Sequence, residues 1–315
     1  MSLNHLLQKI CGITILSLVS FNISSCQASS PLPVVPETSQ AIPILKKDQT
    51  LTKAQICSDL FTAHIDAWNS RSVENLRKIY TEDIVHFDGM PLFVGIDEVT
   101  GMAEDMWQIF PDWEMKAGSS YISDEACLGQ WINWNVFSFP EEDPAYEFDL
   151  LNYRDDRIYY WRAFYDVKFL DIFDHGDYID LNLLNTFAAA WSSEDPTRIA
   201  EIYSDEAVFT DSLFRVYVEG NKAIADYAAA YVSQFPGVTW DLGFPFAEDY
   251  SEYDLNEENP FHPQGGVFRI TLQDPEAEFC EIQAVVLITP NDVGKIIEQS
   301  IYYDAESLVS CGLAK

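Results

Sequence analysis

The sequence predicts an α+β fold, built twice in tandem, and three observations carry that expectation. The stretch "AWNSRSVENLRKIYTEDIVHFD" (Ala67 to Asp88) returns without a gap as "AWSSEDPTRIAEIYSDEAVFTD" (Ala190 to Asp211), with seven identities in 22 positions. Landmarks downstream recur as well: Gly95 is answered by Gly220, Phe110-Pro111 by Phe235-Pro236, and "RIYYWRAFYD" by "KIIEQSIYYD". Within each copy the apolar residues change from helical spacing to alternation. A period above 100 residues is too long for a solenoid and fits one domain per copy. Helices followed by a run of antiparallel strands predict a sheet curled over the helices.

The elements follow in order. Ile56, Leu60, Phe61, Ile65 and Trp68 recur at helical spacing and predict an amphipathic first helix. Val73, Leu76, Ile79 and Tyr80 mark a short second helix, whose counterpart opens on Asp195-Pro196, an N-cap followed by a first-turn proline. "EDIVHFD" alternates as a strand. A third helix runs from about Asp97, with Val99, Met102, Met106 and Phe110 inward, and Pro111 ends it. "WEMKAGSSYI", "CLGQWINWNVFSF", "YEFDLLNYR" and "RIYYWRAFYDV" alternate as strands between acidic turns such as "PEEDP". The second copy holds extra residues, which the acidic stretch "EDYSEYDLNEENPFHPQ" (Glu248 to Gln264) accounts for.

Before the repeats, residues 1–25 read as an export signal. Lys9 precedes the apolar run "ICGITILSLVSFNI", which is shorter than the roughly 20 residues that span a bilayer. "ISSC" follows, and with Cys26 it resembles the bacterial lipobox, in which that cysteine is lipidated; an ordinary signal peptide is the other reading. Residues 26–50, with their prolines and small polar residues, read as a tether. The expected division is then 51–170 for the first domain and 171–315 for the second, outside the cytoplasm, on the periplasmic or extracellular side, and touching the membrane only through a lipid. Such a compartment permits disulfides among Cys57, Cys127, Cys280 and Cys311, with three possible pairings, though free buried thiols are an equal alternative. A net charge of −33 argues against nucleic acid and against adsorption to anionic lipid.

Trp68 before a short helix, "IYTEDIVHFD", a glycine and a helix closing in "FPDW", and then "DLLNYRDDRI" resemble the SnoaL-like polyketide cyclase family of the nuclear transport factor 2-like superfamily. The likeness covers about residues 54–168 and, more weakly, 177–308. It implies cone-shaped domains with an apolar pocket between helices and sheet. Members are cyclases, isomerases or dehydratases, and many bind ligands without known chemistry.

Asp149 is the foremost candidate. In "YEFDLLNYR" the alternation sets Glu147, Asp149, Leu151 and Tyr153 on one face, and a carboxylate among apolar groups suits a general base. The resemblance puts Asp149 where the cyclases hold the aspartate that removes a proton next to a carbonyl. A solvent-facing aspartate is the alternative in a chain with 51 acidic residues. His86 and Asp88 share a strand face and could line the pocket mouth as a proton-handling pair. In the family the two are adjacent, whereas Phe87 separates them here. Asp88 recurs as Asp211 while His86 becomes Phe209, which favours a structural aspartate, and His86 also fits a polar surface residue. Asn133 and Asn135 could donate to an enolate oxygen or form an exposed polar stripe. Trp107, Trp131 and Tyr153 complete the candidate wall. In the second copy Leu287, or Val286 with a one-residue shift, stands opposite Asp149, and neither takes a proton.

No metal cluster, phosphate loop or nucleophile elbow is seen, so neither a metal nor a cofactor is expected. The expected function is the binding of a small apolar molecule or non-catalytic assembly; the alternative is a cyclase, isomerase or hydratase using Asp149. The short link between copies and the aromatics on both faces of "RIYYWRAFYDV" and "WINWNVF" predict that the two domains pair with each other.

Overall fold

In a computed structural model, the described residues are 47–87, 92–111, 113–123, 126–133, 145–166, 170, 180–211, 216–247, 263–272 and 280–314. The export segment, Cys26, Asp88, Asn135, the "PEEDP" turn and residues 248–262 lie outside them. The first half runs α1 (Lys47–Asn69), α2 (Val73–Ile79), β1 (Tyr80–Phe87), β2 (Phe93–Val94), α3 (Ile96–Ile109), β3 (Met115–Ile122), β4 (Ala126–Asn133), β5 (Ala145–Arg154) and β6 (Arg157–Asp166). The second runs α4 (Leu181–Trp191), α5 (Pro196–Glu201), β7 (Tyr203–Asp211), β8 (Val216–Glu219), α6 (Asn221–Gln234), β9 (Thr239–Ala247), β10 (Gln264–Leu272), β11 (Cys280–Pro290), β12 (Ile296–Tyr303) and α7 (Ala305–Ser310).

Local chemistry explains most boundaries. Ser72 accepts from the Asn75 amide to cap α2, and Asp195 accepts from the Thr197 amide ahead of α5, whose first turn holds Pro196. Gly95 and Gly220 precede α3 and α6 at φ of 92° and 85°, which a side chain resists, and each donates its amide to the strand behind it (Ile84, Ala207). Two expected boundaries move. Helix α1 starts at Lys47, inside the stretch read as tether, and Tyr80 opens β1 rather than closing α2.

Each half builds the same sheet. In the first, β3, β4, β5 and β6 are antiparallel neighbours, β1 lies parallel to β6, and β2 pairs with β1. In the second, β9 to β12 repeat that order, with β7 parallel to β12 and β8 on β7. The sheets are also bonded to one another: Tyr165 and Asp166 of β6 pair with Ala247 and Phe246 of β9, and Tyr303 of β12 pairs with Ile122 of β3. Strands β3–β6 and β9–β12 therefore close into a ring of eight.

Alternation then decides what each face meets. Leu151, Trp161, Ala163 and Tyr165 face the helices, as do Val286, Ile301 and Tyr303. The opposite faces point into the ring and form a second core of Tyr121, Leu128, Phe148, Phe164, Phe246 and Tyr302. Phe148 stacks on Phe246 at 4.3 Å between ring centres. In β6, Trp161 and Tyr165 on the helix side and Phe164 on the ring side are thus all buried. All the described residues fall in one compact unit. Two disulfides, Cys57–Cys127 and Cys280–Cys311, each stay within one half. No helix among the described residues is long and apolar enough to cross a membrane.

Candidate functional site

Helix α1 carries an imidazole in its apolar stripe: His64 sits among Leu60, Phe61, Ile65 and Trp68, and is fully buried. The helix can lie close to β4 because of Gly129, where an added Cβ would fall 2.1 Å from the Phe61 ring. Gly129 is the register partner of Asp149 on β5. One turn on from Phe61, His64 therefore arrives over Asp149.

Asp149 has no exposed surface. Its Oδ1 accepts from Trp161 Nε1 at 2.6 Å, and its Oδ2 lies 3.4 Å from His64 Nε2. His64 Nδ1 meets the Tyr80 hydroxyl at 2.9 Å, and that hydroxyl accepts from Trp68 Nε1 at 2.8 Å. The Trp161 indole stands edge-on to His64 and carries the His86 ring stacked on it at 3.6 Å. Burial, with a smaller contribution from His86, holds the His64 pKa well below its usual 6.5, so the ring is neutral near pH 7. Burial drives the Tyr80 phenol well above 10.0, with Asp149 adding to the rise. A carboxylate held by an indole N–H, facing a neutral imidazole in a dry setting, can accept a proton and share it.

The second half keeps the frame and loses the titratable pair. Trp191 Nε1 donates to the Tyr203 hydroxyl at 3.2 Å, which donates to Gln299 Oε1. Phe187 precedes Trp191 as His64 precedes Trp68. Strand register sets Phe209 against Gln299 as His86 is set against Trp161, and Val286 against Ile301 as Asp149 is set against Ala163. Val286 thus holds the place of Asp149. Elsewhere in this half, buried Asp211 accepts from the Tyr303 hydroxyl at 2.6 Å, beside a cavity of about 20 Å³ lined partly by Tyr227, Tyr231 and Tyr303. That volume holds about one water.

Several expectations change. His86 is neither at a pocket mouth nor on the surface; β1 turns it inward, and stacking on Trp161 covers it. Trp107 is half-buried, edge-on to Trp68 at 5.9 Å, and Tyr153 is half-buried against the helix-side core just past a register slip in β5. Trp131 and Asn133 lie in β4. Asp88 and Asn135 are outside the described residues. The structure brings Asp149 to the N–H edge and His86 to the face of one indole and adds His64, which reading the sequence missed. The available signal was a histidine four residues before Trp68 in an otherwise apolar stripe. Among the described residues no group of three or more His, Cys, Asp or Glu could hold a metal ion.

A comparison with curated proteins finds no match to this chain. Among solved structures, it is similar to a protein of ketosteroid isomerase-like fold from Catenulispora acidiphila (13% identity, TM-score 0.36, covering 44% of this chain and 96% of that one). It is also similar to a SnoaL-like family protein from Agrobacterium tumefaciens (18%, 0.31, covering 36% and 98%) and to a SnoaL-like protein from Jannaschia (12%, 0.32, covering 39% and 92%). The SnoaL-like domain model matches residues 61–161 and 184–251, together more than half of the chain. With more than half of the chain matched and helices packed on a curved sheet, the chain belongs to the SnoaL-like domain family.

Proposed function

We propose that the first half is an acid–base site of cyclase, isomerase or hydratase type, acting on a small apolar carbonyl compound with Asp149 as general base. The observation that carries this reading is the enclosure of the Asp149 carboxylate with His64 at 3.4 Å and Trp161 at 2.6 Å. A base next to a carbonyl needs an acceptor oxygen in a dry pocket and a neighbour to pass the proton to. Val286 and Phe187 in the second half supply neither, so that half is a binding or packing partner. The test is proton exchange next to the carbonyl in a panel of small ketones and 1,3-dicarbonyls in deuterated water, followed by NMR. Asp149→Asn should slow it by about 10²–10⁴-fold; equal rates in both proteins sink the enzymatic reading. The complete burial of Asp149 favours a second reading, in which both halves only hold ligands or partners, and equal rates would leave that one standing.

The halves are read as two copies of one domain, 51–170 and 171–315, paired as an internal pseudo-dimer. Supporting this, the contact of Tyr165 with Ala247 has its mirror in that of Tyr303 with Ile122, the reciprocity of a twofold interface. The protein is further read as exported and lipid-anchored through Cys26. Support comes from the apolar run, the "ISSC" box and two disulfides, which persist outside a reducing cytoplasm. Labelled palmitate should enter the wild type and not Cys26→Ser; equal labelling of the two would refute the anchor.

A further inference from the structure

The Trp68–Tyr80 pair is buried to 2% and 0% exposure, and the proton-abstraction reading of Asp149 gives it no task. Its hydrogen bonds have a direction. An indole N–H can only donate, so the Tyr80 oxygen accepts from Trp68, and its single proton remains for His64 Nδ1 at 2.9 Å. A ring nitrogen that accepts carries no proton, and an uncharged imidazole then bears its proton on the other nitrogen, Nε2, the one 3.4 Å from Asp149 Oδ2. We infer that Tyr80, oriented by Trp68, is a positioning residue that holds His64 in the Nε2–H tautomer and so aims the ring proton at Asp149. This rests on the reading of Asp149 and His64 as the reacting pair.

The second half shows the same device without an imidazole or a carboxylate. Trp191 donates to Tyr203, and Tyr203 passes its proton on to the acceptor oxygen of Gln299. The frame therefore runs from tryptophan to tyrosine to an acceptor in both halves. In the first half the acceptor is an imidazole whose far side meets a carboxylate, so what is a structural bond at Gln299 becomes an assignment of protonation at His64. With the proton on Nε2, the ring can stabilise the carboxylate before reaction. Asp149 can then take a proton from substrate and return it at another carbon, while Nε2–H only donates a hydrogen bond and both His64 and Tyr80 keep their protons.

The experiment is a long-range proton–nitrogen correlation spectrum of the full chain with ¹⁵N-labelled histidine, at neutral pH. The wild type should show His64 with an unprotonated Nδ1 and a protonated Nε2; a protonated Nδ1 overturns the inference whatever the activity. In Tyr80→Phe the proton should redistribute toward Nδ1 and carbonyl-adjacent exchange should fall about tenfold or more, whereas an unchanged His64 signal removes the positioning role. Should Tyr80→Phe not fold, Trp68→Phe, which takes away only the donor that orients the phenol, carries the same outcomes. Tyr203→Phe makes the matching cut in the second half and should leave the His64 signal unmoved. If Asp149→Asn leaves exchange unchanged while the wild-type tautomer is as expected, the base reading fails and the positioning of His64 stands.

Discussion

His64 differs from Phe187, its counterpart, by being able to take a proton that its surroundings refuse. Burial, and then His86, keep its pKa well below 6.5 in the folded protein. The unfolded chain takes up that proton near pH 6.5, so the unfolded state binds more protons between 6.5 and the lowered native value. Stability contributed by the neutral ring is present above pH 6.5 and is lost as pH falls through that window. His64→Phe, which installs the residue of the second half, should lessen the drop in melting temperature between about pH 7.5 and about pH 5. Equal drops in both proteins would show that the acid sensitivity lies elsewhere. Asp149 was legible from alternation in "YEFDLLNYR" together with the family resemblance. His64 was not, because nothing local separates a buried polar partner from a histidine that merely interrupts an apolar stripe.

Among the elements, the approach of α1 to β4 decides whether the site exists. Gly129 leaves room for Phe61, and any Cβ there collides with a ring wedged in the core. Gly129→Val should cost about 1–3 kcal/mol by overpacking and lift α1, with His64, off Asp149. Gly101 in α3 has nothing within 4 Å of an added Cβ, so Gly101→Ala should stabilise by about 0.5–1 kcal/mol through helix propensity. Urea unfolding of both variants checks the pair, and similar shifts would mean that α1 is free to move. The helices and strands were legible from period and caps, as at Asp195-Pro196. The start of α1 at Lys47 was hidden because a run of lysine, aspartate and threonine fits a helix end as well as a tether. The register slip in β5 between Asn152 and Tyr153 leaves no local mark either.

At the scale of the whole molecule, the eight-stranded ring joins the halves through a core of its own. Phe148 of β5 and Phe246 of β9 stack at its centre, and both are fully buried. Either change to alanine should cost about 3–5 kcal/mol. A double-mutant cycle should show about 0.5–1.5 kcal/mol of coupling beyond the sum. Strict additivity, measured by denaturant unfolding, would mean that the two rings do not meet in solution.

The sequence by itself determined the class of the fold and the order of its elements. These follow from period, capping and turn chemistry, which act between near neighbours. It also determined that only the first half has a carboxylate at the Asp149 position, since Leu287 and Val286 both exclude one from the second. Which of the two aligns was settled by strand register, in favour of Val286. Tertiary structure also decided the Cys57–Cys127 and Cys280–Cys311 pairings, the closure of the ring and the meeting of His64 with Asp149. Each depends on how distant segments dock, and an apolar pattern specifies that a face is buried without specifying what covers it. For β5 the cover differs by face: Phe148 meets the other half of the chain, and Asp149 meets the histidine of α1.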